Sequence, residues 1–347
     1  MSAPPRARPV RSDGGGHDRP RARSGAGRPA PLLLVWRAVA ALPEPAARTA
    51  GALAADAVWL LAVAPVLRGA RPLAGVRQLR ANLALTDPGR PPRAARRLLR
   101  AALRSYARYW VDLFRLEGWP EERRRRAVRL EDDGALRTAL AEGRGAVVAL
   151  SHSASWDVLG AYAALELAPV TTVAERLADD ALHEAFRRVR AALGVEALPL
   201  SGGAPPLPAL VRRVRAGGFV PLLVDRDLGG AAVEVDLLGG RARVASGAAA
   251  LADLAGAPLF ALEAWYDRDP AVPGGWVVRG RPRAVERVLE GPRPERVART
   301  TQRVADALGD AVARHPEDWH VLQPVLLARG ADRAGAGAAR PAGAGSP

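Results

Sequence analysis

The segment Gly145-Ala146-Val147-Val148-Ala149-Leu150-Ser151-His152-Ser153-Ala154-Ser155-Trp156-Asp157 passes from an apolar run into a polar turn and out into a second apolar run. Ala146 to Leu150, entered through Gly143 and Gly145, predicts a buried strand of an α/β sheet. His152 stands where that strand ends, and Asp157 opens the periodic segment Val158 to Leu165, at or near a helix N-terminus. Open α/β sheets place their ligands at such strand-to-helix turns on the carboxyl edge. A His and an Asp at this spacing can fold back on one another. The carboxylate then takes the imidazole Nδ1 proton and leaves Nε2 free, the pairing of a general base with its orienter. The same spacing also arises by chance, so the rest of the chain has to support it.

Outward from this segment, strands and helices alternate. Strands are expected at Val128–Leu130, Val170–Val173, Ala197–Leu200, Phe219–Val224, Leu259–Tyr266 and Trp276–Val278, with a hairpin over Val233–Val244. Helices are expected at Ala135–Ala141, Ala181–Leu193, Ala209–Ala216, Ser246–Leu254 and Pro294–Arg314. Pro221, inside its strand, reads against a central position in the sheet. The alternation implies one α/β domain over 125–327, a central mixed sheet flanked by helices. Polar residues gather at the expected strand ends: His152, Asp157, Glu175, Asp225, Arg226 and Asp227. On a shared sheet edge they converge on one site. Read singly, Asp225 and Asp227 also suit turns, with Arg226 paired between them, and Arg190 suits a solvated helix face.

The chain has 347 residues, 49% of them hydrophobic, enough for a sizeable core. It has no Cys, which excludes disulfides, thiolate catalysis and Cys-ligated zinc. The net charge is +15 and every one of the 51 basic residues is Arg. A GC-rich coding bias explains the residue type, and an anionic partner explains the excess. Nucleic acid is not favoured, for there is no Cys/His finger and no RNP-type aromatic pattern. Residues 1–29 read as a disordered basic arm and 328–347 as a disordered tail. Between them, 30–124 reads as a helical, membrane-associated region. Its runs Pro31–Leu42 and Ala46–Leu67 are interrupted by Arg37, Pro43, Pro45, Arg48 and Asp56, too often for a signal peptide or a spanning helix. Two helices in the membrane interface, with Trp36 and Trp59 at headgroup level, fit this pattern, as do ordinary core-packing helices. A further helix, Ala94–Leu116, interleaves Arg with aromatics near its end, which suits lipid phosphate or a snorkelled interface. The remaining His residues, His17, His183, His315 and His320, form no metal-ligand set, and no phosphate-binding glycine motif or Gly-x-Ser-x-Gly elbow is present.

Several segments together resemble the bacterial lipid A lauroyl/myristoyl acyltransferase superfamily, and within it the actinobacterial branch that acylates phosphatidylinositol mannosides. They are Tyr106-Ala107-Arg108-Tyr109-Trp110 with Phe114-Arg115-Leu116, Ser151 to Asp157, Val224 to Leu228, the helix with Arg190, and Pro316 to Gln323. The resemblance implies a glycerolipid-acyltransferase-like α/β fold with an N-terminal helical layer at the membrane interface. It implies acyl-CoA as donor, no cofactor, and an anionic glycolipid acceptor at the cytoplasmic face of the plasma membrane. It makes His152 the base and Asp157 its orienter, and places Glu175 and Arg190 in the site. The alternatives are a drifted, non-catalytic lipid-binding relative and an acyltransferase acting on another lipid acceptor. The chain departs from the family's usual His-Ser-Gly-Asn-Trp-Asp, for Ala154 and Ser155 replace the Gly and the Asn.

Overall fold

The computed structural model describes residues 31–64, 74–175, 179–200, 204–226 and 232–327. The expected basic arm and tail, and Asp227, lie outside them. Four helices come first: α1 (Pro31–Ala41), α2 (Glu44–Val63), α3 (Ala74–Leu85) and α4 (Pro92–Leu116), followed by the short α5 (Glu121–Arg126). The α/β part then runs β1 (Val128–Leu130), α6 (Gly134–Ala141), β2 (Ala146–Leu150), α7 (Trp156–Glu166), β3 (Val170–Ala174), α8 (Asp180–Ala192) and β4 (Val195–Pro199). It continues with α9 (Leu207–Arg215), β5 (Phe219–Leu223), the antiparallel hairpin β6 (Ala232–Leu237) and β7 (Gly240–Ala245), α10 (Gly247–Ala255), β8 (Leu259–Arg268), β9 (Trp276–Ala284) and α11 (Arg293–Arg314).

Seven strands form one sheet in the order β1-β9-β8-β2-β5-β3-β4, parallel except for the antiparallel pair β8 and β9. The mixed α/β architecture expected from the sequence is therefore the one observed. β2 is buried along its whole length, and its residues alternate between two cores. Val148 and Leu150 face a cluster with Leu113 and Leu116 of α4, Val158 of α7 and Val189 of α8. Val147 and Ala149 face Val214 of α9, Leu251 of α10 and Val304 and Leu308 of α11. The period of two is that of a strand covered on both faces. Gly145 opens β2 at φ +64°, where a Cβ would lie 2.2 Å from the Val214 carbonyl oxygen, so glycine is required there.

Pro221 does lie in an interior strand, against expectation. β5 pairs with β2 along its length, but with β3 only at Val170 and Phe219. The Phe219 N–H points to the β3 side, donating to the Pro169 carbonyl, and Val224 N–H points to the β2 side, donating to Leu150. By alternation, the N–H that Pro221 lacks falls where the β3 ladder has already parted. Its carbonyl accepts instead from the Thr172 hydroxyl at 2.7 Å.

The N-terminal helices divide their surfaces. Trp36 is buried, stacks on Phe114 at 5.0 Å and donates its indole N–H to the Phe114 carbonyl at 3.1 Å. It is a core residue, which corrects the headgroup-level expectation. Trp59 donates likewise to the Arg96 carbonyl at 3.0 Å. Leu34, Val35 and Leu42 on and just after α1, and Leu53, Leu60 and Leu61 on α2, are exposed. By length and composition α2 qualifies as a membrane-crossing helix. Its two interior charges are nonetheless committed to the protein: Arg48 binds Asp112 at 2.8 Å, and Asp56 binds Arg100 and Arg104.

Candidate active site

β2 and β5 are parallel neighbours in register at Leu150 and Leu223. Two residues beyond each strand, this register sets His152 beside Asp225. His152 Nδ1 lies 2.6 Å from Asp225 Oδ1, and the His152 backbone N–H donates to Oδ2 at 2.8 Å. A third donor, the Trp319 indole N–H, reaches Oδ2 at 3.0 Å. Asp225 is buried. Burial alone would raise its pKa, but the His152 charge, the hydrogen bonds from His152 and that from Trp319 outweigh it and hold the carboxyl below its ordinary value. An ionised Asp225 on Nδ1 places the ring proton there and leaves Nε2 as the acceptor. Nε2 makes no hydrogen bond among the described residues.

Asp157 does not orient His152, and that expectation is corrected. It sits in the first turn of α7, which aims its carboxylate away from the ring. Oδ2 accepts from the Tyr109 hydroxyl at 3.0 Å, and Oδ1 from Arg190 Nε at 3.0 Å. The Asp157 charge raises the pKa of Arg190, and burial together with Asp157 pushes Tyr109 well above its ordinary value. Trp156 joins the two groups physically: its ring meets His152 edge-on at 5.1 Å and stacks on Tyr109 at 4.1 Å. The structure thus brings Arg190 to Asp157, but through α8 packing against the sheet rather than to the imidazole. Glu175 lies exposed just past β3 and forms no ion pair with His152, Asp157, Asp225 or Arg190. Arg226 is partly buried, and its charge acts on the Tyr106 phenol.

Between β2 and α7 the chain turns through Ala154, a buried non-glycine residue at φ +52°. That conformation costs an L-residue about 1–2 kcal/mol. The turn is held by the chain's closing segment. Ala154 N–H donates to the Asp318 carbonyl at 2.8 Å, His320 N–H donates to the His152 carbonyl at 2.8 Å, and Ser153 bridges to Trp319. Behind this wall the Ser105 hydroxyl donates to the Asp318 carboxylate and lies 2.9 Å from His320 Nε2. Burial raises Asp318 to about 6 and lowers His320 to about 3, the latter helped by Arg108 and His152. The hydroxyl of Ser155, at the α7 N-cap, is buried with no hydrogen-bond partner among the described residues.

Sequence reasoning assigned no site role to Trp319, Asp318, His320, Ser105 or Tyr109. The only signal available for Trp319, Asp318, His320 and Tyr109 was that they sit in segments carrying the resemblance, and Ser105 lies one residue before such a segment. The arrangement is a His–Asp pair on the carboxyl edge of an open sheet, the geometry of general-base chemistry on a hydroxyl. Residues 32–328 match the model of the bacterial lipid A biosynthesis acyltransferase family, and the chain belongs to that family of acyltransferases. Among its relatives is the phosphatidylinositol mannoside acyltransferase of Mycolicibacterium smegmatis, 38% identical over 294 residues, which cover 84% of this chain and 89% of that one. The Mycobacterium tuberculosis protein of the same name is 39% identical over 302 residues, covering 84% and 86%.

Proposed function

We propose that the protein moves an acyl chain from acyl-CoA to a hydroxyl of a phosphatidylinositol mannoside, with His152 as general base and Asp225 as its orienter. The observation that carries the mechanism is the 2.6 Å contact between His152 Nδ1 and Asp225, which leaves Nε2 open to substrate. The acceptor class rests on the names of the mycobacterial relatives.

A sugar hydroxyl is far too weak an acid to attack a thioester at neutral pH unaided. His152 Nε2 takes its proton as the oxygen attacks the thioester carbonyl, and Asp225 stabilises the imidazolium that forms. The tetrahedral oxyanion needs donors. Those of Ser153 and Ala154 are already engaged, by Ser151 and Asp318. The Ser155 and Trp156 backbone N–H groups, at the start of α7, serve this role, helped by the helix dipole. Collapse expels the CoA thiolate, which takes the proton from His152, so no acyl-enzyme is needed. The exposed leucines of α1 and α2 hold the protein on the cytoplasmic face of the membrane, where the acceptor lies.

The test is acyl transfer by the purified protein from a long-chain acyl-CoA to phosphatidylinositol mannoside, followed by mass spectrometry of the lipid product. His152→Ala should lower turnover by about 10²–10⁴-fold with the fold intact. A loss below about tenfold would remove His152 as the base. Transfer from acyl carrier protein, with none from acyl-CoA, would replace the donor and leave the base in place.

A further inference from the structure

A cleft of about 560 Å³ lies between α2, α4 and the outer ends of β8 and β9. None of His152, Asp157 and Asp225 lines it, and the wall of Ser105 and Asp318 stands between the cleft and the catalytic pair. Its lining contains six arginines, Arg48, Arg97, Arg100, Arg104, Arg108 and Arg268, against two carboxylates, Glu317 and Asp318. Three of the six are already matched. Arg48 binds Glu44 and Asp112, while Arg100 and Arg104 share Asp56. Arg97, Arg108 and Arg268 make no side-chain hydrogen bond or ion pair among the described residues. Arg108 and Arg268 instead lie over the Trp276 ring, 3.4 and 3.8 Å from its centroid.

A cation over an aromatic face offsets less of the hydration lost by a partly desolvated guanidinium than a charge-assisted hydrogen bond to an anion does. Arg108 is such a group, and burial lowers its pKa. Like charges gathered in a concave surface repel each other and focus a positive field that concentrates anions. The guanidinium fork matches the oxygens of a phosphate bidentately. The volume lies in the range of small-molecule sites.

We propose that this cleft is a second binding site, for a phosphate ester carrying at least two negative charges, held by Arg97, Arg108 and Arg268. The proposal goes beyond the acyl-transfer reading and does not depend on it. Two carriers have the required chemistry. One is a lipid headgroup, since α2 borders the cleft and exposes Leu53, Leu60 and Leu61. The other is a soluble phosphate ester such as a nucleotide. A ligand here would touch the Asp318 side of the segment that holds His152.

The experiment reads binding in the full chain, not catalysis. Inorganic pyrophosphate is titrated calorimetrically, and co-sedimentation is measured with phosphatidylcholine vesicles with and without phosphatidylinositol. The Arg97→Glu and Arg268→Glu double variant changes two exposed residues. The Arg187→Glu and Arg188→Glu variant, on the exposed face of α8, changes net charge equally. The cleft variant should weaken pyrophosphate binding by about tenfold or more while the control changes little. Arg108→Gln should do the same, and an unchanged melting temperature in the exposed double variant shows that fold loss is not the cause. Loss of pyrophosphate binding alone identifies a soluble ester, and loss of the phosphatidylinositol-dependent sedimentation alone identifies a headgroup. Equal effects from cleft and control variants, or none from either, overturn the proposal.

Discussion

Asp225 and Asp157 are both buried carboxylates, and both lie close to the sheet edge that carries His152. Asp157 is five residues from His152 along the chain, and Asp225 is seventy-three away. The distant one holds the imidazole, while the near one is occupied by Arg190 and Tyr109. Parallel strands in register fix the ends of β2 and β5 side by side. The turn into α7, by contrast, rotates Asp157 away from the ring. Adjacency in a sheet outranks proximity in sequence, and the two carboxylates acquire different work: one orients a ring, the other anchors the helix that follows it.

The comparison is broken most directly by exchanging each acid for its amide. Asp225→Asn should cut turnover by about 10²-fold or more with little change in melting temperature, since an amide can donate to Nδ1 and fix the wrong tautomer. Asp157→Asn should cost less turnover, and its loss should track a lowered melting temperature. Equal turnover losses at equal stability would erase the distinction.

Arg190 sharpens it. Arg190→Ala leaves Asp157 without its cation. Because the arginine side chain keeps 22% exposure, the cost should be on the order of 2 kcal/mol, below the ~3–5 kcal/mol of a fully buried pair. Arg187→Ala, at an exposed i,i+3 pair with Glu184, should leave stability nearly unchanged. Chemical denaturation of both variants checks this, and a similar small effect from each would return Arg190 to the surface.

The smallest effect concerns the turn that separates the two acids. Ala154→Gly relieves the left-handed conformation but gives up a buried methyl group and adds backbone entropy to the unfolded chain. The net should be a gain of no more than about 1 kcal/mol, read from the denaturation midpoint. A destabilised variant would show that the methyl contact outweighs the strain.

Much of this was legible before the structure. The apolar run of β2, the glycines that enter it and the alternation after Val128 specified a two-sided sheet, because period and turn chemistry are local properties. His152 and Asp225 both stood out as polar residues at strand ends. Their pairing did not, because strand order is decided by crossovers that no local pattern records. For the same reason Pro221 pointed away from the interior: nothing in the sequence says that the β3 ladder parts beside it. Trp36 misled differently. An amphipathic helix reads alike whether its aromatic faces lipid or a neighbouring Phe114, and only the packing of α1 on α4 distinguishes them.

The closing segment has a temporal consequence. Asp318, Trp319 and His320 hold Ala154, Asp225 and His152 in place, yet they are among the last described residues of the chain. A ribosome making this protein from its N-terminus releases α1 and α2, with their exposed leucines, long before the clasp on the sheet edge that carries His152. His152 is therefore still unbraced when the first helices are already free to fold, and the geometry around its ring is completed only once the closing segment has been made.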